Sequence, residues 1–147
     1  MTNGMRKKTK KAYDNMLRRC AVNFADRKYY YDRGIEVCER WKESFNNFLE
    51  DMKLCPEKKS LDRIDNKKGY NKDNCRWASE NIQKWNRDWG PYKGVTWYSQ
   101  GSKWRARLMY GGKSFFLGYF EDKDKAKEVY DSHARIIDWL IEAEFLE

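Results

Sequence analysis

The stretch "SLDRIDNKKGYNKDNCRWASENIQKWNR", Ser60 to Arg87, sets acids, amides and arginines around a glycine-bearing turn. Ser60 to Asp65 alternates as a strand, Asn66 to Asn74 is a polar turn containing Gly69, and "CRWAS" reads as a second short strand. A helix follows. Ser79 is placed to cap it, and Gln83 and Asn86 share one helical face while Ile82 and Trp85 turn to the other. A β-hairpin leading into a helix, with acids and amides converging, has the composition of a chemical site, yet the stretch contains no histidine.

The flanking sequence divides into units. The N-terminal residues 1–12 carry Arg6, Lys7, Lys8, Lys10 and Lys11 and read as a mobile basic arm that contacts phosphate. Ala12, Met16 and Cys20 then mark a short helix. Trp41, Phe45, Phe48, Leu49 and Met52 fall at helical spacing, which predicts one packing helix ending before Pro56. Gly90, Pro91 and Gly94 in "RDWGPYKG" interrupt any helix, so the boundary is placed there, giving units 13–89 and 90–147.

Beyond that boundary the period changes. "YKGVTWYSQ", "KWRARLMYG" and "KSFFLGYFE" read as three strands joined by a loop at Gly101 and a tight turn at Gly111 and Gly112. A long helix follows with Ala126, Val129, Tyr130, His133, Ile137, Leu140 and Ile141 in one stripe, and His133, the only histidine, is assigned to packing behind the sheet. The expected class is α+β: an N-terminal helical segment with the hairpin and helix, then a three-stranded antiparallel sheet packed on one long helix. In the middle strand Trp104, Ala106 and Leu108 turn to the helix, leaving Arg105, Arg107 and Met109 exposed. Lys93, Thr96, Tyr98, Ser114 and Phe116 join that exposed face if alternation holds. Arginines on a ribbon of strands suit phosphates and base edges in the major groove.

Composition agrees with a nucleic-acid partner. The 147 residues have mean hydropathy −1.09, but 7 Trp, 10 Tyr and 7 Phe suffice for small cores. Net charge is +8. Nine acidic and four basic residues from Glu121 onward give that segment −5, leaving +13 on residues 1–120. That basic body predicts attraction to a polyanion. No apolar run reaches the length of a membrane span and no hydrophobic signal core is present, so a soluble intracellular protein without a membrane partner is expected; the sequence does not fix the oligomeric state, and a monomer is the favoured one. Cys20, Cys38, Cys55 and Cys75 are scattered without a CxxC pair and read as free thiols; zinc bound by distant ligands is disfavoured.

Two resemblances sharpen these expectations. "KGVTW", "KWRARL", "GKSFFLGYF" and "AKEVYDSHAR" resemble the AP2 DNA-binding domain, in which a three-stranded sheet lies in the major groove with a helix behind it. "LDRID", the "GY" turn, "NCRWA" and the helical Gln and Asn resemble the phage-type branch of the HNH, or ββα-metal, nucleases. Phage encoding would put the protein in the cytoplasm of a bacterial host. The second resemblance implies Asp62 as a metal ligand with Gln83 and Asn86, Asn74 as the brace of the loop, and Arg63 at the position of the catalytic histidine. Mg²⁺ or Mn²⁺ suits such oxygen donors. A guanidinium has no lone pair with which to deprotonate water, so Arg63 is assigned to clamping the phosphate or stabilising developing charge, and Asp65 is the substitute base or extra ligand. The expected function is a metal-dependent DNA endonuclease of homing or nicking type acting on double-stranded DNA. The alternatives are a DNA-binding regulator or blocker on the same scaffold that no longer cleaves, and a protein-binding inhibitor.

Overall fold

The computed structural model describes Thr2 to Phe145; Met1 of the basic arm and Leu146 and Glu147 of the C-terminal unit lie outside the described residues. The chain is α+β and forms two compact units, Met1–Asn86 and Arg87–Glu147.

The first unit opens with helix α1, Thr2–Arg19. The expected mobile arm is therefore helical. The reason is tertiary: Thr9 is fully buried, its hydroxyl donates to Met5 O, and it accepts from the Cys55 backbone N–H at 2.9 Å. Tyr13 and Met16 extend the buried side of α1, and Tyr13 Oη donates to Trp41 O at 2.7 Å. The single helix predicted through Trp41 to Met52 is two, α2 (Glu39–Glu43) and α3 (Phe45–Met52). Ser44 separates them in an extended conformation, and its hydroxyl accepts the Asn47 N–H to cap α3. Trp41 and Phe48 pack edge to face at 4.8 Å in the core these helices share with Ile35, Val37, Tyr70 and Trp77.

Strands β1 (Lys59–Arg63) and β2 (Cys75–Ser79) pair antiparallel with Asp62 opposite Arg76, and the short helix α4 (Glu80–Trp85) follows directly. Ser79 caps α4 through Ile82 N, while Ile82 and Trp85 are buried. Asp65 lies past the end of β1, in the turn, so the alternation that put it on the same strand face as Arg63 does not reach it.

The second unit is a three-stranded antiparallel sheet in the order β3 (Val95–Tyr98), β4 (Lys103–Tyr110), β5 (Lys113–Phe120), followed by the long helix α5, Lys123–Glu144. Val95, Ala106 and Leu108 are buried with Ala126, Tyr130 and Ile141 of α5. Two members of the predicted stripe depart from it. His133 is exposed, its ring nitrogen meeting Val129 O at 2.8 Å, and Leu140 is 49% exposed, because the sheet covers a narrower arc of α5 than the apolar pattern spans. No helix among the described residues is long and apolar enough to cross a membrane.

Candidate nucleic-acid interface and hairpin site

The hairpin brings Asp62, Arg63, Asn74 and Asn86 together and gives each a partner inside the protein. Asp62 Oδ2 accepts from Arg76 Nε at 3.1 Å and from Asn86 Nδ2 at 3.3 Å. The Asp62 and Arg76 side chains are only 10% and 16% exposed. Burial pushes the Asp62 carboxyl above its ordinary range, against the opposing pull of the Arg76 hydrogen bond. Asn86 also donates to Arg63 O at 2.6 Å, which turns its nitrogen toward the strand. Gln83 is not at Asp62: its amide nitrogen donates to Ser60 Oγ at 2.6 Å and to Ala78 O at 2.9 Å.

Arg63 points inward. Its guanidinium lies 4.9 Å from the centroid of Tyr70 and 5.6 Å from that of Tyr30, and donates to Lys68 O at 2.8 Å. The residue is buried, so as placed it neither clamps a phosphate nor offers an atom that accepts a proton. Asp65 accepts the Lys67 backbone N–H at 2.9 Å, and that bond holds its carboxyl below the usual range, which makes it a weak base. Asn74 ties the turn: Oδ1 accepts from Asp65 N at 2.9 Å, and Nδ2 donates to Asp65 O at 3.1 Å and Gly69 O at 2.8 Å.

The expected Mg²⁺ or Mn²⁺ ligands do not fit such an ion in this arrangement. One carboxylate oxygen is occupied by two donors and the nearest amide presents nitrogen. Among the described residues, no three His, Cys, Asp or Glu side chains gather as a metal-binding group. The four cysteines are free, with Cys55 and Cys75 buried.

The sheet carries a different arrangement. Thr96 pairs across with Arg105, Arg105 with Tyr119, Arg107 with Phe116 and Met109 with Ser114, which puts these side chains on one face. A register shift between Ala106 and Arg107 leaves Leu117 opposite no residue and moves Tyr119 onto that face. Strict alternation from Phe116 selects Gly118 instead, so the sequence reading missed Tyr119. Tyr98 and Tyr119 stack at 4.9 Å, and Phe116 tilts against Tyr119 at 5.0 Å. Arg107 is exposed, whereas Arg105 is half-buried, bonded to Thr96 Oγ1 at 3.3 Å, with a shielded Nε that has no partner among the described residues. Lys93 precedes β3 in a turn and is half-buried, which lowers its affinity for a proton; it is not a strand residue. On α1, Lys8 donates to Pro56 O and Lys10 pairs with Asp14, while Lys7 and Lys11 are exposed.

Comparison with protein-family models, with curated proteins and with solved structures found no match.

Proposed function

We propose that this protein binds duplex DNA through the solvent face of its C-terminal sheet, in the manner its resemblance to AP2 domains implies. The observation that carries the reading is the row of Thr96, Arg105 and Arg107 paired with Phe116 and Tyr119 on one face of the sheet. An exposed arginine in such a row can take a guanine edge or a phosphate. Lys7 and Lys11 on α1 add phosphate contacts. The test is a salt titration of duplex binding with wild type and Arg107→Ala. The variant should lose about 1–3 kcal/mol if Arg107 reads a base, or lower the salt slope by about one if it meets a phosphate. Salt-independent binding would remove the electrostatic basis of the proposal.

A second reading, metal-dependent cleavage of the bound DNA, is favoured by one feature: Asp62 and Asn86 face each other beside a turn braced by Asn74, as the likeness to HNH nucleases implies. In that reading Asp62 and the Asn86 amide oxygen would hold Mg²⁺ or Mn²⁺, which would polarise the scissile phosphate, and this would require Asp62 and Asn86 to give up the hydrogen bonds they make here. Incubating supercoiled DNA with the protein in Mg²⁺, Mn²⁺ or chelator separates the two readings. Nicks or breaks that require the metal and vanish in Asp62→Ala support cleavage. Intact DNA under all conditions, with binding retained, leaves the hairpin as a scaffold.

A further inference from the structure

We infer that the aromatic cluster Tyr98, Phe116 and Tyr119 is a stacking platform for unpaired bases, so that this face prefers single-stranded or locally opened DNA to fully paired duplex. The inference rests on the sheet being the nucleic-acid face and goes beyond it by naming the state of the nucleic acid. Phe116 is 58% exposed and Tyr119 46% exposed, and with Tyr98 the rings form a continuous strip at centroid spacings of 4.9 and 5.0 Å.

A paired duplex gives rings of this kind little to touch. Its major groove presents donors, acceptors and, as the apolar feature, the thymine methyl, between walls of phosphate. An unstacked base instead presents a whole π-face, and stacking it on an aromatic side chain is tolerant of sequence because every base has one. The register supplies the rest of the nucleotide's needs. Phe116 lies directly across from exposed Arg107, which is placed to meet the phosphate of a nucleotide whose base stacks on that ring, while Tyr119 lies across from half-buried Arg105 and Tyr98 across from Lys103. A protein or lipid partner of apolar character would leave exposed Arg107 opposite no charge, which is why the pairing of ring with cation favours nucleic acid.

The test compares the full-length protein on three ligands of equal length at one salt concentration: an oligothymidylate, a paired duplex, and that duplex with a central run of unpaired thymines. Phe116→Leu keeps apolar bulk and removes the ring face, whereas Phe116→Tyr keeps the ring. The exposed position should let both variants fold, which circular dichroism and melting check. Wild type is expected to bind the oligothymidylate and the bubble more tightly than the paired duplex. Phe116→Leu should weaken those two by about 5- to 150-fold, equivalent to about 1–3 kcal/mol for one stacked base, with a smaller loss on paired duplex, and Phe116→Tyr should restore them. A preference between bubble and free strand identifies which source of unpaired bases is used, and either one supports the platform. Equal losses on all ligands, or no loss on the oligothymidylate, overturn it. Tight binding of paired duplex without binding of unpaired bases overturns it while leaving the duplex proposal standing, and failure to bind any DNA overturns both.

Discussion

Replacing Arg63 with alanine tests whether this arginine belongs to the core or to the DNA. In the structure its guanidinium faces two tyrosine rings, at 4.9 and 5.6 Å, and gives a hydrogen bond to Lys68 O. A desolvated cation–π contact contributes about 1–2 kcal/mol, and a hydrogen bond from a charged group about 1.5–3 kcal/mol. These terms overlap, and Lys68 O can recover a water, so the expected loss is about 3 kcal/mol. Native-state hydrogen exchange reads it within the first unit: Tyr70 N–H bonds to Glu36 O, and Cys38 N–H bonds to Tyr70 O, against the same tyrosine. Exchange of these amides should accelerate about 100-fold, since each 1.4 kcal/mol is a factor of ten. Duplex binding should hold within about twofold, because an inward guanidinium contributes only its distant charge. Arg63→His should be destabilised as well and gain no cleavage, because its imidazole would lie against the same tyrosines rather than facing water. Unchanged exchange together with weakened DNA binding would show that Arg63 reaches phosphate, and the inward assignment would fall.

Three further outcomes follow from individual contacts. Asn74→Ala removes the three hydrogen bonds that tie Asp65 and Gly69 and should cost about 2–4 kcal/mol in urea unfolding, whereas a loss below about 1 kcal/mol would deny its bracing role. Gly94 has φ +74, and an added Cβ would stand 2.1 Å from Tyr130 Cε2 and 2.6 Å from Arg107 O, so Gly94→Ala should destabilise the second unit by at least about 2 kcal/mol; a wild-type melting temperature would contradict that close approach. Burial pushes the Cys75 thiol from 9.0 to about 12. Between those values the folded chain keeps a proton that the unfolded chain has lost, so this stabilising term is fully present below pH 9.0 and disappears as pH rises toward 12. Cys75→Ala should flatten that alkaline decline, and alkylation of the native protein near pH 8 should label half-buried Cys20 and Cys38 before Cys75; early labelling of Cys75 would refute its burial.

What the sequence made legible is what local rules control. The hairpin, the Ser79 cap and the turn at Gly111 and Gly112 all depend on residues near one another in the chain, and the structure contains each of them. The departures arise where a distant partner or an irregularity decides. The N-terminal lysines suggest a solvated arm, but Thr9 is fixed by Cys55, and neither residue type announces the other. The spacing of Trp41, Phe45 and Phe48 survives a break at Ser44 because α2 and α3 pack into one core. Tyr119 escaped notice because a single bulge reverses the faces beyond it.

The largest difference concerns the charges that chemistry would have used. At the hairpin, Asp62 is matched by Arg76, and Arg63 by Tyr30, Tyr70 and Lys68 O, so each charge is compensated within the fold. A sequence can place an acid beside an arginine but cannot say whether they serve a substrate or each other. On the sheet the balance is reversed: Arg107 and the rings of Phe116 and Tyr119 face solvent, and an exposed aromatic cluster of this kind marks an interaction surface. Groups that the fold has satisfied must be freed before they can act, whereas groups left outward can act at once. That asymmetry is why binding through the sheet leads the proposed function and cleavage at Asp62 follows it: the first requires no rearrangement, and the second requires a cation strong enough to displace Arg76.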